Sequence, residues 1–529
     1  MHLVIGSGPS GVAAAAALLE QGCRVHMLDA GLQLEPPIAE AVERARVSAA
    51  PWLPEISPWH AASAASAQEK IPEKLVYGSD YPFREAEERL GIARPQAGLR
   101  PSMGLGGLSA VWGAAIAPYR DADIANWPIT MRDLAPHYEA ALRLTGVAAQ
   151  KDDLDEILPL YAAAPSALRL SRQAAAMAKR MSQHRAQLRR AGIHFGSARA
   201  AIRVSQSADA AEGCSYCGMC LSGCPYRHIY NAEQTLASLR KSERFSYQND
   251  VVITTVEEAA QGAVARGYDR LSGAPISVEG ARLFLACGVL STTAILLRSL
   301  GAYDRTLHIR DSQYFLLPAI LLERITNVEV ERLYTLSQLF VEIDDAAISP
   351  HLVHVQVYAY NSLIAARVRK TLGPLAEALG GALAREMMGR LIVMQGYLHS
   401  AHSSRIAVTL CKTGASEMLD VTPEINPLAS RLVAKVTRKL LRHGLELGAI
   451  AVPPMTEIAE PGRGFHSGGS FPMRESPQSL ETDTFGRPAG WQRVHAVDAT
   501  VLPSIAATTI TLTVMANAHR IASLSANME

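Results

Sequence analysis

The chain opens with MHLVIGSGPSGVAAAAALLEQGCRVHMLDAG, residues 1–31, and this stretch decides the fold. Residues 2–5 form an apolar strand pattern, GSGPSG at 6–11 is a GxGxxG turn, and the alanine-rich run after it predicts a helix ending at Gly22. CRVHMLDAG predicts a second strand ending in Asp29, about 20 residues beyond the turn. This order of elements predicts a dinucleotide-binding βαβ unit.

Each glycine of the turn has a separate physical task. Gly6 permits the tight turn, Gly8 lets the backbone approach a pyrophosphate, and Gly11 lets the helix pack closely on the strand. The helix N-terminus then faces the negative charge of the ligand. Asp29 is placed to accept hydrogen bonds from ribose hydroxyls, but the motif by itself fits FAD and NAD equally.

The bulk properties narrow the class of partner. At 529 residues the chain is longer than one core usually supports, so two joined domains are expected. Charged residues make up 19% and the net charge is +1, which argues against binding of nucleic acid or an anionic membrane surface. No run approaches the roughly 18 apolar residues of a transmembrane segment. The first strand begins at residue 2, which leaves no room for a signal peptide, and we expect a cytoplasmic protein.

Three further segments carry a family resemblance. MGLGGLSAVWGAAIAPYRDADIANWPITMRDLAPHYEAA spans residues 103–141, and FHSGGSFPM and VDATVLPSIAATTITLTVMANAHRIA begin at 465 and 497. In this order after an N-terminal βαβ unit, they resemble the glucose-methanol-choline (GMC) family of flavoprotein oxidoreductases, particularly its bacterial sugar dehydrogenase and pyranose oxidase-like branch. FLACGVLSTTAILLRS, from residue 284, is similar to the strand and helix that close that family's FAD domain. The resemblance covers nearly the whole chain and implies FAD.

The resemblance also implies how the FAD is held. In the pyranose oxidase branch a histidine just before the tryptophan bonds covalently to the flavin, and here Val111 occupies that position. Valine cannot form this bond, so we expect non-covalent FAD. The glycines at 104, 106 and 107 keep side chains away from the backbone amides, as a planar polar ring requires. The residues that the resemblance places around the cofactor are Gly106, Gly107, Ser109, Ile253 and Asp498.

Four cysteines lie within one short window. Cys214, Cys217, Cys220 and Cys224, followed by Pro225, give CxxCxxCxxxCP, the spacing of bacterial ferredoxin-type ligation. A [4Fe-4S] cluster is the leading hypothesis, because three turns this tight wrap a cubane better than the two separated CxxC units of most zinc sites. A [3Fe-4S] cluster and structural zinc are the alternatives. An iron–sulphur centre passes electrons on singly to an external acceptor, which favours a dehydrogenase over an oxidase.

The reacting centre follows from the resemblance. A histidine in the family's HxxG segment removes the hydroxyl proton as hydride leaves for the flavin, and here it is His466. The family's second catalytic residue, normally Asn or His, corresponds to Thr509, which cannot serve as a base near neutral pH. His399 and His402 are further candidates for the pocket.

The leading function is FAD-dependent oxidation of an alcohol group on a sugar or polyol-like small molecule, with electrons leaving through the cluster to a protein or quinone-like acceptor. The Thr509 departure leaves open a redox-neutral or C=C-directed flavin reaction, such as epimerisation or desaturation. An electron-transfer subunit is the non-enzymatic alternative.

The expected fold class combines α/β and α+β. A Rossmann-type FAD-binding domain accompanies a discontinuous substrate domain built on a β-sheet. The expected ranges are 1–303 and 465–529 for the FAD domain, 205–235 for the iron–sulphur insertion and 304–464 for the substrate domain.

Overall fold

The structure is a computed structural model that describes residues 1–60, 75–92, 96–163, 165–205, 212–373, 381–414 and 416–528. Residues 206–211 of the predicted iron–sulphur insertion, and 374–380, 415 and 529 of the other predicted domains, lie outside the described residues.

The helices have these bounds: α1 Pro9–Glu20, α2 Pro36–Val47, α3 Ala86–Leu90, α4 Met131–Thr145, α5 Arg172–Gln183, α6 Arg185–Arg190, α7 Ala232–Leu239, α8 Val289–Ser299, α9 Ser362–Leu372, α10 Ala382–Arg390, α11 Pro427–Arg442, α12 Gly444–Leu447 and α13 Thr511–Ser525. The strands have these bounds: β1 His2–Ile5, β2 Val25–Leu28, β3 Ile193–Ser197, β4 Phe245–Gln248, β5 Val251–Ala259, β6 Gly262–Asp269, β7 Pro275–Gly280, β8 Leu283–Leu285, β9 Thr306–Asp311, β10 Tyr314–Leu321, β11 Leu339–Ile343, β12 Val353–Tyr358, β13 Leu391–Tyr397, β14 Arg405–Thr413, β15 Ser416–Glu424, β16 Ala449–Ala451, β17 Glu457–Ile458, β18 Ser467–Gly468 and β19 Val494–Ala496.

The N-terminal βαβ unit is the centre of a parallel sheet. In the described chain its strand order is β4, β2, β1, β8 and β19, and every neighbouring pair is parallel. Helix α1 is buried from Ser10 to Leu18 and packs against α13, because its run of alanines lets another helix approach closely. The last strand and α13 come from the end of the chain, so the C-terminal segment is held against the glycine turn.

A larger antiparallel sheet lies beside this unit. Its described strands follow the order β16, β10, β13, β12, β11 and β3, with β17 also paired to β10. One face, which includes Val341, Val355 and Met394, packs on α5 and α11 in an apolar core. The alternate residues lie on the opposite face, where polar side chains are frequent. The domain boundaries at 303/304 and 464/465 stay predictions. β3 belongs to this sheet, although its residues fall within the range 1–303 that was assigned to the FAD domain.

Two smaller antiparallel sheets complete the described strands. β15, β14, β9 and β18 form one of them, and β5, β6 and β7 form the other. β18 immediately follows His466 and pairs with β9, with Ser467 opposite Asp311. This pairing fixes the segment that carries the predicted base.

Candidate active site

The glycine turn after β1 fits the backbone side of a dinucleotide. A Cβ on Gly6, where φ is +101°, would lie 2.6 Å from the carbonyl oxygen of Ala286, and a Cβ on Gly11 would lie 1.9 Å from that of Gly6. A Cβ on Gly8 would meet only the Cα of Gly107, at 3.9 Å. The fold itself therefore requires glycine at 6 and 11. Gly8 is the N-cap of α1 and provides no side-chain cap, which leaves first-turn amides for an anion.

The second glycine loop packs directly on the first. Gly106 and Gly107 both have positive φ, and a Cβ on Gly107 would lie 3.2 Å from the Cα of Gly8. The amide of Gly106 donates to the Ser7 hydroxyl at 3.0 Å, and that of Leu105 donates to the carbonyl of Leu32 at 2.8 Å. The structure thus brings together the two loops that the sequence assigned to one cofactor.

Asp29 lies at the carboxyl end of β2, as predicted. Its carboxylate accepts hydrogen bonds from the hydroxyls of Ser7 and Tyr247, the latter at 3.2 Å. Burial raises the pKa of Asp29 to about 6, although these hydrogen bonds oppose the shift. The amide of Val251 donates to the Asp29 carbonyl at 2.9 Å, and Ile253 follows on the same strand. Asp29, at the end of β2, therefore lies next to the start of β5, the antiparallel strand that carries Ile253.

The side chains of Ser109 and Asp498 each form hydrogen bonds that join separate segments of the chain. The Ser109 hydroxyl donates to the Gly106 carbonyl at 2.5 Å and accepts from the amide of Ala232 at 2.9 Å. The Asp498 carboxylate accepts from the amide of Gly288 at 2.9 Å and from the hydroxyl of Thr292 at 2.5 Å, which ties the C-terminal segment to the start of α8. Burial raises the pKa of Asp498 above its usual range.

The four predicted cysteine ligands lie together, and backbone amides surround their sulphurs. The amide of His228 donates to Sγ of Cys224 at 3.4 Å, and that of Thr335 donates to Sγ of Cys220 at 3.5 Å. Amides also donate to Cys214 and Cys217 from within their own turns. Burial, followed by the charge on Cys220, raises the pKa of Cys217 to about 12 and that of Cys224 to about 11. As the described side chains stand, no three of His, Cys, Asp and Glu are arranged to hold a metal ion.

His466 is presented on a constrained turn. Phe465 before it has φ of +54°, a left-handed conformation that is unusual for an aromatic residue, and the carbonyl of His466 accepts from the amide of Ser312 at 2.9 Å. The imidazole stacks on Tyr397 with ring centroids 4.9 Å apart. Neither ring nitrogen has a hydrogen-bond partner within the described ranges, and Nδ1 is buried. Burial, and to a smaller extent His354, lowers the pKa of His466 to about 4, so the imidazole is a neutral acceptor at physiological pH.

Asp311 holds the two ends of the turn that carries His466. Its carboxylate accepts from the amide of Gly462 at 2.9 Å and from the Ser467 hydroxyl at 2.7 Å. Asp311 is 1% exposed, and this burial raises its pKa to about 6. No local pattern predicts these two contacts, because Asp311 and its partners lie about 150 residues apart in the chain.

Thr509 has a structural contact. Its buried hydroxyl oxygen accepts a hydrogen bond from the amide of Ala117 at 2.8 Å. This contact joins the segment before α13 to the segment after the second glycine loop. Ala507, in the same segment as Thr509, packs with Tyr314 and Tyr397.

The polar face of the antiparallel sheet supplies site residues that sequence reasoning missed. His354 donates through Nδ1 to Glu342 at 2.6 Å, Gln356 lies 3.2 Å from the other nitrogen of that ring, and the Tyr358 hydroxyl donates to Gln356 at 2.9 Å. On the next strand Gln395 donates to the Tyr397 hydroxyl oxygen at 2.8 Å. The alternation in LVHVQVY, residues 352–358, was the available signal, since every second residue is polar.

The histidines considered as pocket candidates form a separate cluster. The rings of His351 and His399 stack with centroids 3.7 Å apart, and His402 lies edge-on to His351 at 5.6 Å. Ser400, between the two candidates, exchanges hydrogen bonds with Ile505 at 2.8 and 2.9 Å. The cluster therefore supports the segment that leads to Thr509.

Comparison with known proteins identifies similar chains. No family model matches. The chain is 26% identical to 6'''-hydroxyparomomycin C oxidase of Streptomyces lividus over 327 residues, which are 57% of this chain and 50% of that protein. The chain therefore matches about half the length of this relative. A solved structure, pyridoxine 4-oxidase from Mesorbium loti, superposes with a TM-score of 0.62 at 14% identity, covering 100% of this chain and 99% of that one.

These comparisons establish the fold in outline. The predicted mixed architecture, with a parallel dinucleotide-type sheet beside antiparallel sheets, is confirmed and matches the fold of pyridoxine 4-oxidase. None of the helices in the described ranges has the length and apolar character that a membrane crossing needs.

Proposed function

We propose that the chain binds FAD non-covalently and oxidises a CH–OH group of a sugar-like or polyol-like small molecule, with His466 as the base. The observation that carries this proposal is the contact of two glycine turns through Gly8 and Gly107, because a side chain at Gly8 would meet only the other turn at 3.9 Å. Val111, buried where the pyranose oxidase branch has its linking histidine, supports non-covalent binding.

The site residues support a division of labour around the cofactor. The turn at 6–11 would hold the pyrophosphate, Asp29 the ribose, and the loop at 106–109 the flavin ring. When bound, FAD supplies the two-electron acceptor for the hydride. His466 is neutral and unpartnered among the described residues, so it is able to accept the hydroxyl proton.

The similar proteins support an alcohol as substrate. Both are named as oxidases of small molecules that bear hydroxyl groups, hydroxyparomomycin C and pyridoxine. The polar sheet face beside His466 supports a hydroxyl-rich ligand, because it offers amide and phenol groups in place of an apolar wall.

The test is anaerobic mixing of the purified protein with a panel of paromomycin, pyridoxine, glucose and glycerol. We expect at least one alcohol to bleach the flavin absorbance, and His466→Ala to slow bleaching by about 10²-fold with FAD still bound. His443→Ala, at the C-cap of α11, is the control and keeps the wild-type rate. Heat or acid should release all FAD from the polypeptide. No bleaching by any alcohol would contradict the proposal.

Product analysis in the same anaerobic mixture separates the alternative reaction types. A dehydrogenase or oxidase without acceptor converts about one substrate per FAD, whereas a redox-neutral enzyme turns over repeatedly. We expect a single turnover. The Thr509 hydroxyl already accepts the Ala117 amide, which supports a structural role for Thr509.

We also propose that Cys214, Cys217, Cys220 and Cys224 hold a [4Fe-4S] cluster, with [3Fe-4S] and zinc as the alternatives. The donor set supports a thiolate-bound group, since backbone amides donate to these sulphurs and such hydrogen bonds tune iron–sulphur sites. The cysteine segment also runs directly into Asn231, which lies 3.1 Å from the Ser109 hydroxyl in the flavin loop. A cluster here would therefore be adjacent to the flavin loop.

Metal analysis of protein prepared without oxygen tests the cluster. We expect about four irons per chain for [4Fe-4S]. Cys220→Ser should lower the iron content, whereas Cys411→Ser, a cysteine on β14 outside the window, should not. One zinc per chain without iron, or neither metal, would overturn the cluster.

The external acceptor is the remaining part of the proposed function. A cavity of about 420 Å³ lies beside the cysteine segment, with Arg143, Arg203 and Tyr230 among its lining residues. The carbonyl of Arg203 accepts from the amide of Cys214 at 2.9 Å, so the cavity adjoins the proposed cluster. We propose that an added acceptor takes the electrons at this cavity in preference to oxygen. Dye reduction should exceed oxygen consumption, and the reverse would indicate an oxidase.

A further inference from the structure

The phenol of Tyr397 has a proton without an acceptor in the described part of the chain. Gln395 donates through Nε2 to the phenol oxygen at 2.8 Å, so that oxygen is the acceptor in this contact. The phenol's own O–H must then point to another group. Tyr397 is 6% exposed, and a buried donor that stays unpaired is costly.

The hydroxyl of Tyr358, on the neighbouring strand, has the opposite hydrogen-bonding role. Its hydroxyl donates to Oε1 of Gln356, which leaves the phenol oxygen to accept. Gln356 in turn contacts His354, and His354 donates to Glu342, so this network is directed toward the carboxylate. The two phenols therefore differ: one presents a lone pair and the other presents a proton.

Three contacts place Tyr397 at the reacting centre. Its ring stacks on His466 at 4.9 Å and 22°, and it packs with Ala507, two residues before Thr509. It also lies opposite His354 in the pairing of β12 with β13. Burial keeps the pKa of Tyr397 well above its usual value, so the phenol keeps its proton at neutral pH.

We propose that Tyr397 is a catalytic residue that donates a hydrogen bond to the same substrate oxygen whose proton His466 removes. This inference rests on the proposed alcohol oxidation. The O–H proton would go to His466, the carbon-bound hydrogen would leave with both bonding electrons as a hydride for which FAD, when bound, supplies the acceptor, and the C–O bond would become C=O. Tyr397 keeps its proton and stabilises the negative charge that develops on the oxygen.

Two pairs of variants test the donor. Tyr397→Phe should slow flavin bleaching by the most active alcohol of the panel by about 10²-fold. Tyr138→Phe is the control and should keep the wild-type rate. It removes a buried phenol that lies away from this sheet face and is hydrogen-bonded to the Thr513 hydroxyl at 2.8 Å. Gln395→Glu supplies a carboxylate that accepts a hydrogen bond from the Tyr397 hydroxyl and so turns that hydroxyl away from the substrate. Its bleaching rate should therefore be as low as that of Tyr397→Phe. Gln395→Met leaves the proton available and should remain within about threefold of the wild type.

Binding of 2,2,2-trifluoroethanol, followed by the flavin spectrum, gives a readout that needs no oxidation. The dissociation constant should rise about tenfold in Tyr397→Phe and stay unchanged in Tyr138→Phe. Binding that Tyr397→Phe weakens, without bleaching of the wild type by any panel alcohol, would reject the proposed function and leave the Tyr397 contact supported. Three results would overturn the donor role. The first is that Tyr397→Phe and the wild type have equal bleaching rates and equal dissociation constants. The others are that Gln395→Glu and Gln395→Met lose equal bleaching rate, or that the wild type does not bind trifluoroethanol.

Discussion

At the scale of single residues, the three glycines of the first turn separate requirements of the fold from requirements of the cofactor. A methyl group on Gly11 would strike the Gly6 carbonyl at 1.9 Å, whereas one on Gly8 has no contact closer than 3.9 Å. Gly8→Ala should therefore change the free energy of unfolding of the FAD-free protein by less than about 1 kcal/mol. It should weaken FAD binding at least about tenfold, because the methyl group blocks the pyrophosphate.

Urea unfolding and fluorescence titration with FAD measure these two quantities. Gly11→Ala is the contrasting variant and should lose both folding stability and FAD. Equal FAD affinity of Gly8→Ala and wild type would remove the turn from the cofactor site.

His466 gives a second prediction at this scale, in the pH dependence. Its pKa in the folded protein is lowered from 6.5 to about 4, so the base stays unprotonated down to that pH. The rate of flavin reduction should be constant from about pH 6 to 9 and fall as the pH falls through about 4. The same shift contributes stability that is present above pH 6.5 and is lost as the pH falls toward 4. An acid limb near pH 6.5 would contradict the lowered pKa of the His466 imidazole.

The site residues that the sequence predicts lie in short local motifs, whereas those that it missed are defined by contacts between distant parts of the chain. Gly6, Gly8 and Asp29 follow from one local motif, because a turn and the next strand leave a pattern within 30 residues. Tyr397 becomes interesting only through its contacts with His466 and Gln395. One of these contacts crosses between separate sheets, and no local periodicity records it.

At the scale of elements, the turn that presents His466 depends on Asp311 at the end of β9. Asp311→Ala leaves the Gly462 amide and the Ser467 hydroxyl without their acceptor, and should cost about 2–4 kcal/mol of unfolding free energy. Asp311→Asn should cost less than about 1 kcal/mol, because the amide oxygen accepts from Gly462 and its NH₂ donates to Ser467. The pKa of Asp311 is raised to about 6, so charge on this carboxylate destabilises the fold as the pH rises through that value.

Urea denaturation at pH 8 distinguishes the two Asp311 variants. Flavin reduction should be slower in Asp311→Ala than in Asp311→Asn, because the first releases the turn. Equal free energies of unfolding for the two variants would show that the Asp311 carboxylate does not hold the turn that carries His466.

Element prediction succeeded where the pattern is local. β1, α1 and β2 lie where the opening stretch predicts them. The position of β3 was not predictable, because its partner β11 lies more than 140 residues later and its burial comes from that pairing. Long-range antiparallel pairing leaves no short-range signal in the sequence.

At the scale of the whole molecule, hydride transfer and electron exit should be separable. If the cysteines hold a cluster, Cys220→Ser should still bleach its flavin once with substrate, because His466 and the glycine turns are untouched. It should reduce an external dye far more slowly than wild type, since serine is a poorer ligand for iron. Anaerobic single-turnover and steady-state dye assays measure the two steps. Loss of FAD and fold together would indicate a structural metal.

The junction between the cysteine segment and the second glycine loop also bears on how the protein matures in the cell. A Cβ on Gly106 would lie 2.2 Å from Oδ1 of Asn231, so the loop packs against the end of the cysteine segment with no space for a side chain at this position. A newly made chain would then complete its flavin loop by folding this segment against it, whether or not the cysteines hold iron. Cells starved of iron should therefore accumulate protein that still retains FAD when riboflavin is plentiful.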